Sequence, residues 1–309
     1  SVMGRSFYRR VLEQVSDSGG ALDQHLDTLQ AAGLIREAAS VPEVEYIFRH
    51  DLTRDAAYDS LLFRRRRQFH RQVGEAMEDL FEGRLEEQAH RLAHHFHETA
   101  DNDRALKYSG MAGDIAAGLY ANDEAITHFT RAIELAREAG PAELPRLLEA
   151  LGDVKRRLGN ASESSLLYEE ASQLLSNKDD NSREVRVRGK AALSAITAGD
   201  LEKATSLLQT TLETVSEDRS ELAVAHTYYE LSQLHWHSSR HGDALEAAQQ
   251  SLEAALASGD VKEESHAYEA MALACHSLGD WQMGIEYELR RSALGDSGFD
   301  VDEAFDAHL

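Results

Sequence analysis

The sequence predicts an all-α chain of stacked helix pairs, preceded by a smaller domain of helices and a short β-ribbon. Three observations carry this. Prolines stand only at 42, 141 and 145 among 309 residues, so very long stretches contain no helix breaker. A small residue recurs at Ser164, Ala204, Ala244 and Gly284, each step being 40; Ala125 lies one step of 39 earlier and Ala105 a half step of 20 before that. Apolar residues three and four apart stay in register behind these positions, and a fixed period of this length marks a repeat array.

The elements follow in order. Phe7, Tyr8, Val11, Leu12 and Val15 are spaced as one helix face, closed by the breaker Ser16-Asp17-Ser18-Gly19-Gly20. Leu22, Leu26 and Leu29 predict a second helix ending at Gly33. Leu34-Ile35-Arg36 and Val44-Glu45-Tyr46-Ile47-Phe48, either side of a turn at Pro42, predict a two-stranded ribbon. A third helix starts near Asp51, whose charge suits a helix N-terminus. This outline, a partial winged helix with its connecting helix, occupies residues 1–75. Linker helices and the first repeats take 76–140, further repeats 141–296, and a cap or tail 297–309. Because Ser1-Val2-Met3 is not a natural start, the chain reads as an excised fragment.

Composition removes several classes. One cysteine closes no intrachain disulfide, and Cys275 among apolar neighbours reads as a small core residue. No apolar run approaches the ~20 residues of a membrane span, and no signal segment opens the chain; a cytoplasmic location without membrane partners is expected. A net charge of −23 argues against wholesale binding of nucleic acid or anionic lipid. The charge is uneven. Residues 1–72 hold 11 basic and 10 acidic side chains, whereas 73–309 hold 21 and 45. The helix before the ribbon, Ala21 to Gln30, has two Asp and no Lys or Arg, so it lacks the groups that read DNA.

Each period reads as two helices joined by a short turn. Leu151-Gly152, Leu231-Ser232 and Met271-Ala272 give large-small pairs in first helices; Ala125, Phe129 and Ala132, or Gly279, Asp280, Trp281, Gly284 and Tyr287, give the turn and second-helix pattern. This pattern resembles the tetratricopeptide repeat (TPR) over roughly residues 85–296. The resemblance implies an α-solenoid that binds a protein or peptide in a groove lined by first helices. The period exceeds the usual ~34 residues, which lengthens helices or connections. Carried across, the groove positions include Arg146, Glu149, Asp153, Arg156 and Arg157, then Arg186, Gly189, Leu193, Ile196 and Thr197. His226, Tyr229, Gln233, Trp236 and His237 follow, and then His266, Glu269, Leu273, His276 and Ser277. Partner contact is expected of Arg146, Arg156, Arg157, Arg186, His226, Tyr229, Gln233, Trp236, His237, His266 and His276, with the aromatics as anchors. Burial between layers is the competing reading of the same positions.

Phe48-Arg49-His50-Asp51-Leu52-Thr53-Arg54-Asp55-Ala56-Ala57-Tyr58 resembles the Met-His-Asp region of signal-transduction ATPases with numerous domains, the STAND class. That resemblance implies a nucleotide-sensing role for His50, reaching the β-phosphate of ADP, with Asp51 orienting the turn. Arg49 stands where the family often has Met. From the residues alone, His50 equally caps a strand-to-helix junction. The stretch from Asp59 through Arg64, Arg65, Arg66 and Arg67 to His94, His95 and Phe96 is similar to the linker between ATPase and repeat regions in bacterial class III adenylate or guanylate cyclases. The arginine run is a candidate interdomain patch for an upstream ATPase domain of the same chain.

Catalytic motifs are missing. The six lysines (107, 155, 178, 190, 203 and 262) include none in a Gly-x-x-x-x-Gly-Lys-Ser/Thr loop, so ATP or ADP with Mg belongs to the parent and no cofactor to this chain. His90 and His94 have zinc-like spacing, but residue 91 is Arg where a zinc hydrolase needs Glu; no metal site is expected. The expected role is a non-catalytic sensor and relay region of a multidomain signalling ATPase, one that controls a nucleotide cyclase; the alternative is the sensor of a transcription regulator with a DNA-binding output.

Overall fold

A computed structural model describes residues 1–16, 19–41, 43–139, 142–176, 181–218 and 220–295. They fall into two compact units, Ser1–Gly140 and Pro141–Leu309. The expected cap or tail at 297–309 lies outside the described residues.

The first unit opens with β1 (Ser6–Tyr8), α1 (Arg9–Val15), α2 (Leu22–Ala31), β2 (Ile35–Ala39) and β3 (Glu45–Phe48). The strands form one antiparallel sheet in the order β1-β3-β2. Two expectations are corrected here. Phe7 and Tyr8 belong to a strand instead of the first helix, and the ribbon has three strands instead of two. The pairing Ser6–Ile47, Phe7–Tyr46 and Tyr8–Glu45 explains both. Alternation puts Phe7 inside, its ring stacked on Tyr46 at 5.7 Å, while Tyr8 on the other face meets Phe81 at 5.3 Å. Three residues are too few for a two-residue period to stand out against the helical pattern that follows.

Then come α3 (Asp51–Asp59), α4 (Phe63–Leu80), α5 (Ala89–Thr99), α6 (Asn102–Gly118) and α7 (Asn122–Ala139). The pairs α4/α5 and α6/α7 pack through one device. A Cβ added to Gly74 would come within 2.8 Å of the Phe96 ring, and one added to Gly113 within 2.6 Å of Phe129. The absent side chain admits a fully buried aromatic ring.

The second unit holds four pairs: α8 (Leu144–Arg157) with α9 (Ala161–Leu175), α10 (Asn181–Thr197) with α11 (Leu201–Asp218), α12 (Glu221–His237) with α13 (His241–Ser258), and α14 (Val261–Leu278) with α15 (Trp281–Gly295). Of the recurring small residues, Ala125, Ser164, Ala204, Ala244 and Gly284 sit near the start of a second helix, while Ala105 lies in α6, a first helix; Ser164, Ala204 and Ala244 are wholly buried, as is Ala125 in the first unit. Facing sizes trade off along the array. Gly152 admits the Tyr168 ring, Ala192 shares a core cluster with Leu208, and Ser232 donates to the Ala244 carbonyl at 2.8 Å.

The turns repeat as strictly. At the turn inside a pair, positive φ falls at Gly159, Gly199, Ser239 and Gly279, and at Tyr120 in the first unit. At each, the N–H bonds back three residues and the next N–H bonds back five, as in Gly279 to His276 at 3.1 Å and Asp280 to Cys275 at 2.9 Å. This pair of bonds satisfies the last carbonyls of the helix and asks for a left-handed residue. Glycine supplies it three times; Ser239 and Tyr120 hold it at φ 58° and 57°.

Candidate functional site

Three first helices of the second unit, α10, α12 and α14, enclose a cleft of about 690 Å³. From α10 it takes Arg183, Val185, Arg186, Lys190 and Leu193; from α12, Ala223, Leu222 and His226, with Ser220 before it; from α14, Lys262, Glu263 and His266, with Asp260 before it. Positions 183, 186, 190 and 193 fall three or four apart, so one face of α10 supplies the basic wall. The cleft also collects the N-terminal ends of α12 and α14. Ser220 Oγ caps α12 by accepting from Ala223 N–H, and Asp260 Oδ1 caps α14 by accepting from Lys262 and Glu263 N–H at 3.0 Å each.

The basic wall is braced from α8. Lys190 Nζ donates to Glu149 at 3.0 Å and to Asp153 at 2.9 Å. Arg183 and Arg186 approach Glu149 at 3.3 and 3.6 Å. Asp153 also accepts from the Tyr168 hydroxyl at 2.7 Å, and the tyrosine is raised above its ordinary pKa by burial and by that carboxylate. Arg186 keeps 57% of its side chain exposed, so the network holds its stem near the cleft without burying the guanidinium.

The cleft floor is ionic. His226 Nε2 lies 3.1 Å from Glu230 and its Nδ1 3.3 Å from Glu263; Glu263 is also 3.4 Å from His266 Nδ1. The His266 ring stacks on Tyr229 at 5.0 Å. Burial works against the charge on His226, but the two carboxylates win and raise its pKa to about 10. Burial likewise opposes Glu263, yet the two imidazoles bring it down to about 2. Glu230, 1% exposed, is raised by burial. Its carboxyl lies against Gly189, where any Cβ would collide with it.

The sequence-predicted groove residues divide. Arg186, His226 and His266 line the cleft. Tyr229 and Gln233 are buried, 8% and 7% exposed, and Tyr229 belongs to the core with Ala248, Tyr268, Ala270 and Met271. Trp236 is part-buried, donating to Ser277 Oγ at 2.8 Å and meeting His237 edge-on. His276 stacks on Trp281 at 5.1 Å and covers Gly284, between α14 and α15. Arg146 pairs with Glu143 at 3.0 Å, while Arg156 and Arg157 are exposed at the end of α8. None of these last six lines the cleft. Sequence reasoning missed Arg183, Lys190, Leu222, Lys262 and Glu263; the spacing of Arg183, Arg186, Lys190 and Leu193 was the signal available.

In the first unit, His50 is exposed and takes the N-cap position of α3 in extended conformation, with no capping bond from its side chain. Asp51 is 3.5 Å from Arg5. Within the arginine run, Arg66 lies over the Tyr58 ring and donates to the Leu61 and Asp59 carbonyls, and Arg67 donates to the Thr99 carbonyl. Arg64 and Arg65 are exposed, as are Leu62 and Phe63 beside them. A second histidine cluster sits behind this segment. His70 Nδ1 faces His95 Nδ1 at 2.9 Å, its Nε2 faces the Tyr58 hydroxyl at 3.1 Å, and the His94 ring lies 5.4 Å away. Burial, aided by His94, lowers His70 to about 4, and burial holds His95 well below the usual range. Among the described residues no three His, Cys, Asp or Glu are arranged to hold a metal ion, and no helix is long and apolar enough to cross a membrane. Cys275 is buried, 3% exposed.

No family model matches the chain, and no curated protein sequence does. Solved structures do. The apo form of RapI superposes with a TM-score of 0.55 at 10% identity, over 94% of this chain and 77% of that one. A putative kinesin light chain from Podosopora anserina with nearly identical TPR-like repeats gives 0.50 at 13%, over 62% and 94%. A STAND protein with a tetratricopeptide repeat sensor from Pyrococcus horikoshii gives 0.45 at 15%, over 94% and 42%. The chain thus has a TPR-like α-solenoid with a small antiparallel sheet at its N-terminal end.

Proposed function

We propose that this chain is a non-catalytic regulatory region that binds a protein or peptide in the cleft of α10, α12 and α14. The observation that carries the reading is the cleft itself: first helices of three successive pairs converge on one concavity with a braced polar wall and exposed apolar residues such as Leu222, 46% exposed. Its size suits a ligand of a few residues. Around this core we place a wider reading. The N-terminal sheet and helices are part of a winged helix in a STAND-type signalling ATPase, His50 and Asp51 sense its nucleotide, Arg64 and Arg65 meet its ATPase domain, and the output is a nucleotide cyclase. The support for that wider reading is the sequence resemblance around Phe48–Tyr58 and along the following linker. Ligand binding would act by favouring one nucleotide state over another.

The test of the core is selection from an unbiased random-peptide library displayed on phage, followed by hydrogen exchange of the chain with each selected peptide. Protection confined to 183–193, 222–226 and 260–266 is the expected result. Protection elsewhere, or no binder, rejects the cleft as the working surface. In a full-length parent, His50→Ala should change ADP retention; unchanged retention rejects the nucleotide-sensing role.

A further inference from the structure

The cleft carries more information than its shape. Among its lining side chains four are Lys or Arg and two are acids, within a chain whose net charge is −23. Both acids are already engaged. Asp260 accepts the two N–H bonds that begin α14, and Glu263 lies between His226 and His266. Two of the bases are open to a ligand. Arg186, which shares Glu149 with Arg183 and Lys190, keeps 57% of its side chain exposed, and Lys262 is exposed. Two helix N-termini open onto the same space and add their partial positive charge. Between the charges lie Val185, Leu193, Leu222 and Ala223.

We infer that the cleft selects a short linear peptide in which acidic side chains alternate with apolar ones, the acids meeting Arg186 and Lys262 and the apolar residues meeting Leu193 and Leu222. This inference rests on the peptide-binding reading above and names its ligand class. Charge complementarity decides the sign. A basic peptide would meet the exposed Arg186 and Lys262 and find both lining acids occupied. A nucleic acid is disfavoured by the chain's overall charge and by the lack of an exposed aromatic platform in the cleft, since Tyr229 is buried under His266. His226 and Glu263 lie 3.3 Å apart and offset each other, so the exposed bases of the wall set the preference.

The experiment uses the whole chain and four fluorescein-labelled probes: a 12-residue peptide alternating Glu and Leu, its Gln–Leu and Lys–Leu counterparts, and a 12-nucleotide oligothymidylate. Anisotropy titration at 0.15 M salt should show the Glu–Leu peptide binding at least tenfold tighter than the other three. Arg186→Gln and Lys262→Glu, both on exposed side chains, should each weaken it at least fivefold; Lys262→Glu, with no ion pair to lose among the described residues, should leave the melting temperature unchanged. Equal binding of the Gln–Leu or Lys–Leu peptide overturns the inference, as does equal binding of the oligothymidylate, and so does indifference to both substitutions. The phage selection keeps the two levels apart. Cleft-protecting peptides that carry no acidic residues sink the acidic preference and leave peptide binding standing; the absence of any cleft-protecting peptide sinks both.

Discussion

Two histidine clusters, one in each unit, reach opposite ionisation states. In the first unit His70 and His95 face each other and Tyr58, with only other imidazoles and the more distant Arg91 close enough to matter, and burial keeps both neutral. In the second, His226 lies between Glu230 and Glu263 and is held as an imidazolium, its pKa about 10. The same residue type is a packing element in one place and a fixed charge in the other. What differs is whether a carboxylate stands within hydrogen-bond reach. The contrast also separates the roles of the units, since the charged cluster forms the floor of the candidate cleft and the neutral one ties α3 to α4 and α5.

The largest expected effect breaks the charged side of this comparison. His226→Ala removes the cation between Glu230 and Glu263 and should cost about 3–5 kcal/mol in urea denaturation. Glu230→Gln, which keeps the shape and drops the acid, should cost less. The pH dependence comes next and has opposite sign in the two units. His70 has a folded pKa below its unfolded one, so its contribution is present above pH 6.5 and is lost as pH falls toward about 4, a loss of at most about 3 kcal/mol. His226 has a folded pKa above its unfolded one, so its contribution is present below 6.5 and is lost as pH rises toward about 10. Hydrogen exchange read unit by unit should therefore show α4 and α5 opening first at pH 5, and α12 and α14 opening first at pH 9.5. One common order at both pH values would remove the distinction.

A smaller change sharpens the neutral side. His70→Leu strands the ring nitrogen of His95 and should cost about 1–3 kcal/mol, and adding His95→Leu should recover part of the loss. The smallest predicted effect is a gain. Ser239 and Tyr120 hold the left-handed turn position that glycine fills at 159, 199 and 279. Ser239→Gly and Tyr120→Gly should each stabilise their own unit by about 1 kcal/mol in thermal melts.

Much of the array was legible in the sequence because its packing is periodic. The small residues at 125, 164, 204, 244 and 284 mark second helices, and Gly279 marks a turn. The first strand was not legible, since its burial depends on a partner some forty residues away. The cleft was half legible. Family groove positions reached Arg186, His226 and His266, because they rest on helix spacing. They missed Lys190 and Arg183, whose placement depends on Glu149 and Asp153 in the preceding pair. Tyr229 looked like a recognition anchor because aromatic character says nothing of which neighbour covers the ring; here His266 supplies the cover.

The central claim is that the concave wall of α10, α12 and α14 is the working surface. A photoreactive benzoylphenylalanine placed at Leu222, in the cleft, or at Leu256, exposed on α13, gives a direct comparison. With a peptide selected from the random library, cross-linking from position 222 and none from 256 is the predicted result. Equal cross-linking from both positions, or cross-linking from 256 alone, would contradict it.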